Sequence, residues 1–396
     1  MKRQRGFSLI EVLVAISILV TVVGLSIGAL LQAQSTAKMV SSEANTQENL
    51  RAGMHFLVRD LAQAGEGIPQ GGISIPNTGT TSTINRPGTS TTFAYAGSVF
   101  TALPPILPGS GLGPKVKSVN PTTGAVMIGT ANTDIINILY ADNTLVDTHG
   151  YNTYTDPVAS ASNPVCNGVI SPTGAFVTLD ANCFTMPGVT NPIAVGNLIM
   201  FHNQNGTAIE YVTGVAGQTI TFGSGDPAGL NQTGLTTGSV YALQTFGTGG
   251  VATGFPSTSI TRVWMVTYYL DSTTNPQKPM LVRQVNYPNY PAAAPANPPQ
   301  QIADSIEDLT FSYDITASVD PAGTYPAGAG NASTPLYPDL PTQIRAVNVF
   351  LAGRSEYATQ AQDSYTYLHN NLTTQVCPRS LSFQNLYQTS ATQTSN

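Results

Sequence analysis

Residues 5–31 read RGFSLIEVLVAISILVTVVGLSIGALL, with Lys2 and Arg3 just ahead of Arg5. From Phe7 to Leu31 the run is apolar apart from Glu11 and a few small hydroxyl residues. About 20 apolar residues suffice to span a bilayer as a helix. The leading basic residues predict a single pass with the N-terminus cytoplasmic and the rest of the chain outside. Two plain readings cover part of this pattern. A secretory signal peptide has a shorter apolar core, roughly 7–15 residues, and a small-residue cleavage site that this run lacks. A simple signal anchor matches the length and the charge bias. It leaves Glu11 unexplained, because a carboxylate in hydrocarbon costs about 2.5–3.5 kcal/mol on insertion scales. No neighbour in its own helix can neutralise Glu11, so it needs a partner from elsewhere. Gly24 and Gly28 stand four apart in the same run, a spacing that lets membrane helices approach closely.

The helical pattern continues past the membrane. No proline interrupts Gln32–Ala64, and Leu50, Met54, Leu57, Val58 and Leu61 repeat on one helical face. Arg51, Arg59 and Asp60 fall off that stripe. Gly65, Gly67 and Pro69 are expected to end the helix. Counted from Phe7, nearly sixty residues make a rod of roughly 85 Å. Residues 7–31 are its membrane half and 32–66 its amphipathic half, which must lie against a folded head.

From Gln70 onward, Gly, Pro, Thr, Ser and Asn clusters alternate with short β-branched and aromatic runs, the mark of an all-β region. The spacing predicts strands over Asp134–Tyr140, Ala194–Phe201, Ala208–Val215, Thr219–Phe222, Ser239–Phe246, Ser259–Leu270, Met280–Tyr287, Asp308–Ile315 and Ile344–Leu351. In Asp308–Ile315 the residues Leu309, Phe311, Tyr313 and Ile315 share one face, which is expected to pack on the amphipathic helix. Ser259–Leu270 is apolar on both faces and reads as a central strand. The fold class expected is α+β, a long N-terminal helix packed on a large β-rich head spanning 67–396.

Composition narrows the function. Only 9% of the 396 residues are charged, against roughly 25% in an average soluble domain. The net charge is −6. No basic cluster lies beyond the first five residues, which argues against general binding to nucleic acid. The four histidines, His55, His149, His202 and His369, are isolated. No P-loop, nucleophile elbow or dinucleotide fingerprint is present, so neither a catalytic site nor a metal or cofactor is predicted. Asp226, Asp314 and Asp320 could serve a calcium loop, but without a D-x-D-x-D-G array they read as solvated turns. Of the three cysteines, Cys166 and Cys183 are expected to pair as a disulfide outside the cytoplasm, with Cys377 a free, partly buried thiol. Three reduced thiols are the alternative.

The stretch R-G-F-S-L-I-E at 5–11, followed by an apolar helix, resembles the class III leader of type IV pilins and type II secretion pseudopilins. The resemblance implies that a prepilin peptidase cuts after Gly6 and that Phe7 is then N-methylated. It also implies that Glu11 meets the terminal amine of a neighbouring subunit during assembly. A buried acid and a buried amine neutralise one another, while either alone in lipid is unfavourable. Many major pilins carry a proline midway along this helix; this chain has Gly24 and Gly28 instead. The stretch F-L-V-R-D-L-A-Q-A-G, ending at Gly65, resembles PilW-like minor pilins and J-type pseudopilins. So, more weakly, do four pieces between Val195 and Ser355. Residues from Gln70 to Pro192 fall outside that resemblance and read as an insertion. The expected role is a minor pilin at or near the tip of a type IV pilus. The alternatives are a J-type pseudopilin or a tip adhesin. The implied partners are other pilins or pseudopilins, the prepilin peptidase and an inner-membrane assembly platform. The implied location is the inner membrane and then the pilus or cell surface.

Overall fold

The computed structural model describes residues 8–69, 71–76, 84–87, 102–142, 154–155, 168–179, 193–231, 238–287, 298–315, 324–325, 344–356, 358–361 and 364–382. Its longest element is the helix Leu9–Ala62, with 54 residues, about 80 Å at 1.5 Å per residue. Ser8 caps its start. Its end follows from two glycines. Gly65 and Gly67 adopt φ of +80° and +67°, a left-handed backbone that a Cβ disfavours. The helix therefore stops at Ala62, short of residue 66. The chain then runs onto the head, where the Gly65 amide donates to the Leu139 carbonyl at 2.9 Å and the Ala141 amide to the Glu66 carbonyl at 2.7 Å.

The head is built from antiparallel sheets, so the architecture is α+β. Ser259–Asp271 is the central strand of an eight-stranded sheet. Along one edge it pairs first with Leu198–Asn203 and then with Met280–Val285. Along the other it pairs with Tyr154–Thr155 and Ile135–Ala141. The stretch 70–192 thus supplies strands to the principal sheet, with Ile106–Gly109 lying beside Ile135–Ala141. A four-stranded sheet runs Thr324–Tyr325, Ile306–Ile315, Ile344–Arg354 and His369–Val376. The two sheets are tied where the buried Asp134 carboxylate accepts the Phe311 amide at 2.9 Å.

One cluster unites the helix with both sheets. Leu50, Met54, Leu57 and Leu61 pack with Leu281, Leu309, Phe311, Tyr313 and Leu351, so the expected inner face of Ile306–Ile315 does turn toward the helix core. A second cluster lies behind. In Leu198–Asn203, Leu198 and Met200 point into the first cluster while Ile199 and Phe201 point into the second. Alternation thus buries both faces of this strand. Phe201 meets Phe222 edge to face, with ring centroids 5.5 Å apart.

Three expected strands differ. Ser239–Phe246 contains a 3-10 turn at Val240–Leu243, because the Ser239 side chain caps the Ala242 amide and Val240 and Leu243 bury together at i, i+3. Ala208–Val215 is split into Gly206–Tyr211 and Gly214–Ala216. At the break, Thr213 Oγ1 donates to the Thr221 carbonyl and accepts the Gly223 amide. Ala194–Phe201 begins only at Leu198, because the Asn197 side chain accepts the Ala194 amide and closes a turn ahead of it.

Candidate functional site

Among the described residues, nothing buries the first half of the helix. Fifteen large apolar residues between Leu9 and Leu31 are exposed, from 46% at Val23 to 82% at Leu9. An apolar surface of this extent marks a membrane or protein contact. This is the one helix among the described residues long and apolar enough to cross a membrane. Its hydroxyls are satisfied internally. Ser17 donates to the Val14 carbonyl, Thr21 to the Ile18 carbonyl and Ser26 to the Val22 carbonyl, each at 2.8 Å. These polar residues therefore need no water, as a lipid environment requires.

Glu11 sits in the first turn and is exposed. Its Oε2 accepts the Ser8 amide at 2.9 Å, while Ser8 Oγ accepts the Glu11 amide at 3.4 Å. This is a reciprocal capping box. The carboxylate also lies favourably at the positive end of the helix dipole. Glu11 thus has a neutral partner in its own chain, one that does not cancel its charge. Gly6 and Phe7 lie outside the described residues. Gly24 and Gly28 present a bare strip where an added Cβ would meet no atom within 4 Å. At ~100° per residue they point roughly 100–140° away from Glu11. A single straight neighbour cannot meet both features along one line.

The second half of the helix is gripped by the head. Thr46, Leu50, Gly53, Met54, Leu57, Asp60 and Leu61 are buried. Gly53 permits a close approach, since a Cβ there would lie 2.9 Å from Leu281 Cδ2 and 3.2 Å from Leu351 Cδ2. Asp60, fully buried, is the polar centre of the contact. Its Oδ2 accepts Arg283 Nε at 2.6 Å and the Tyr268 hydroxyl at 2.7 Å. Its Oδ1 accepts Arg59 Nη2 at 3.2 Å. Burial, with the Asp60 charge adding to it, pushes the Tyr268 phenol up. The same causes raise Tyr140 to about 12. Nearer the membrane half, Asn49 donates to Asp304 at 2.7 Å and Thr46 Oγ1 to the Arg354 carbonyl at 3.3 Å.

In sequence Asp60 lies off the apolar stripe, and its role is visible only in the folded chain. The one available signal was a carboxylate beside a buried Leu61 on a helix that must dock. Cys166, Cys183, His149 and Asp320 lie outside the described residues. Cys377 is free and exposed, not partly buried. Asp226 accepts the Leu230 and Asn231 amides, and Asp314 accepts Asn348 and Gln375 side-chain amides. Among the described residues no three His, Cys, Asp or Glu side chains gather as a metal would require.

No curated protein and no solved structure matches the chain. Residues 1–27 match the family model described as the prokaryotic N-terminal methylation motif. The chain therefore carries a prepilin-like leader running directly into the exposed apolar half of its helix.

Proposed function

We propose that the protein is a minor pilin, a non-enzymatic structural subunit at or near the tip of a type IV pilus. The observation that carries this reading is the union of three features on one rod. A methylation motif spans residues 1–27, a bare apolar half follows, and the far half is locked into a folded head. In this reading the membrane helix stores the subunit in the inner membrane with its head outside the cytoplasm. A prepilin peptidase cuts between Gly6 and Phe7, and the Phe7 amine is methylated. Glu11 then registers the subunit against the amine of a neighbour, and the assembly platform extracts it into the filament. Gly24 and Gly28 give a second neighbour close access. A J-type pseudopilin would use the same chemistry in a secretion machine; the long stretch from Gln70 to Pro192 favours the pilus.

N-terminal mass spectrometry of membrane-extracted protein tests the first step. The expected mature terminus is a methylated Phe7. An intact Met1 terminus from cells with active peptidase would overturn the reading.

A further inference from the structure

The hairpin of Lys115–Val119 and Val126–Asn132 stands apart from the principal sheets. Its turn is tightly made, with the Asn120 amide donating to the Ala125 carbonyl and Asn120 Oδ1 accepting the Thr122 and Thr123 amides. The outer edge of Lys115–Val119 is closed by the body of the head. Ser272 Oγ accepts the Lys117 amide at 3.0 Å and donates to the Lys115 carbonyl at 3.3 Å, and the Tyr367 hydroxyl donates to the Val119 carbonyl at 3.2 Å. Val116 and Val119, on opposite faces of the strand, are both buried.

The opposite edge, along Val126–Asn132, is unpaired among the described residues. Among the described residues, no hydrogen bond outside the hairpin ladder reaches the backbone of 126–131. Val126, Met127 and Ile128 are 56%, 42% and 62% exposed. They pair in straight register with Val119, Ser118 and Lys117 before the ladder shifts toward Asn132. Exposed apolar edges are normally blunted by charge or proline; this strand has neither. Charge does gather on its partner. Residues 115–132 hold two lysines, Lys115 and Lys117, and no carboxylate, in a chain of net charge −6. Lys117 is the cross-strand neighbour of Ile128, so it lies on the face that an added strand would extend.

We propose that this edge takes an extended segment of another protein as a third strand, one that carries apolar and acidic residues in turn along a single face. The open amides and carbonyls would recognise its backbone. Val126 and Ile128 would cover its apolar side chains, and Lys115 and Lys117 would select carboxylates over ammonium groups. This edge works in the same way whether or not the protein enters a filament.

The test uses full-length protein in nanodiscs of zwitterionic lipid and three labelled peptides. One repeats Val-Thr-Glu-Thr, one repeats Val-Thr-Lys-Thr, and the third is the glutamate peptide with alternate amides N-methylated. The expected result is binding of the glutamate peptide, with the other two at least tenfold weaker. Exchange of the 126–132 amides should slow at least tenfold when the peptide is bound. The K115Q/K117Q double variant should bring the glutamate and lysine peptides to within about threefold of each other. Absence of binding overturns the proposal, as does equal binding of the N-methylated peptide or unchanged exchange at 126–132. Slowed exchange without peptide would also overturn it, in favour of a membrane if anionic lipid is required, or of a second copy if it scales with protein concentration.

Discussion

Glu11 and Asp60 are carboxylates on one continuous helix, and their surroundings are opposite. Glu11 is exposed and, among the described residues, is answered only by the Ser8 amide of its own first turn. Asp60 is fully buried and is answered by Arg283 and Tyr268, more than two hundred residues away. The difference extends to the two halves that carry them. Between Leu9 and Leu31 the hydroxyl residues Ser17, Thr21 and Ser26 close their hydrogen bonds within the helix, and the large apolar side chains are exposed. Between Thr46 and Leu61 the helix is defined by the head it enters. One element therefore does two jobs. Its outer half must find a membrane or neighbours, and its inner half must never let go of the head.

The largest expected effect is at Asp60. Asp60→Ala leaves the Arg283 guanidinium buried without its carboxylate, and breaking a buried pair from one side is destabilising by about 3–5 kcal/mol. Chemical unfolding of the full chain in detergent should show that loss, with membrane insertion unchanged. A loss below about 1 kcal/mol would mean that Asp60 is not what holds the helix to the head.

The first half of the helix was legible because a run of 25 residues with one carboxylate admits few readings. The second half was legible as a stripe but not as a polar contact. Asp60 falls at the edge of the stripe, about 60° from Leu57 on the helical wheel, and nothing local distinguishes a solvated edge from a buried one. The partners that decide it, Arg283 and Tyr268, are paired across a hairpin more than two hundred residues away, and its contact with the helix is set by packing. The same limit applies elsewhere in the head. Ile135–Ala141 reads as a strand from its β-branched run, but its place beside Ser259–Asp271 depends on packing that the run does not encode. Ser239–Phe246 reads as a strand until a serine cap competes for its backbone.

Paired glycine substitutions sharpen the contrast between the halves. Gly53→Val puts side-chain atoms where Leu281 and Leu351 already sit, and overpacking of this kind is destabilising by about 1–3 kcal/mol. Gly28→Val enters open space and should leave head unfolding within about 0.5 kcal/mol of wild type. Equal effects at the two positions would erase the division of the helix.

Alkaline pH should loosen the inner half and the head that grips it, not the exposed half. Tyr268 donates its phenolic proton to Asp60 and sits well above the ordinary tyrosine range, and Tyr140 is at about 12, both chiefly through burial. A raised folded pKa means that the stabilisation is complete below the unfolded value, ~10. It is lost as pH rises from there through the folded value, by up to about 1.4 kcal/mol per pH unit for each phenol. Unfolding free energies measured between pH 9 and 11.5 should fall accordingly. The slope should be shallower in Tyr268→Phe and flatter still when Tyr140→Phe is added. A double variant as steep as wild type would assign the alkaline loss to other groups.

The smallest effect on the head is expected from Glu11. Glu11→Ala removes an exposed side chain remote from the core and should shift head unfolding by less than about 0.5 kcal/mol. Membrane insertion should be spared or eased, because a costly polar group is gone from the apolar run. Incorporation into filaments should fall, since a neighbour's terminal amine loses its counter-charge in a low-dielectric interface. The capping box adds a confounding role that two further variants separate. Glu11→Gln keeps an acceptor for the Ser8 amide but carries no charge, whereas Ser8→Ala removes the cap and keeps the charge. If charge registers the subunit, Glu11→Gln should be as defective as Glu11→Ala in a filament-incorporation assay at matched protein levels, and Ser8→Ala should be nearly normal. The reverse order would make Glu11 a residue that starts the helix. Its task would then be as local as that of Asp60 is long-range.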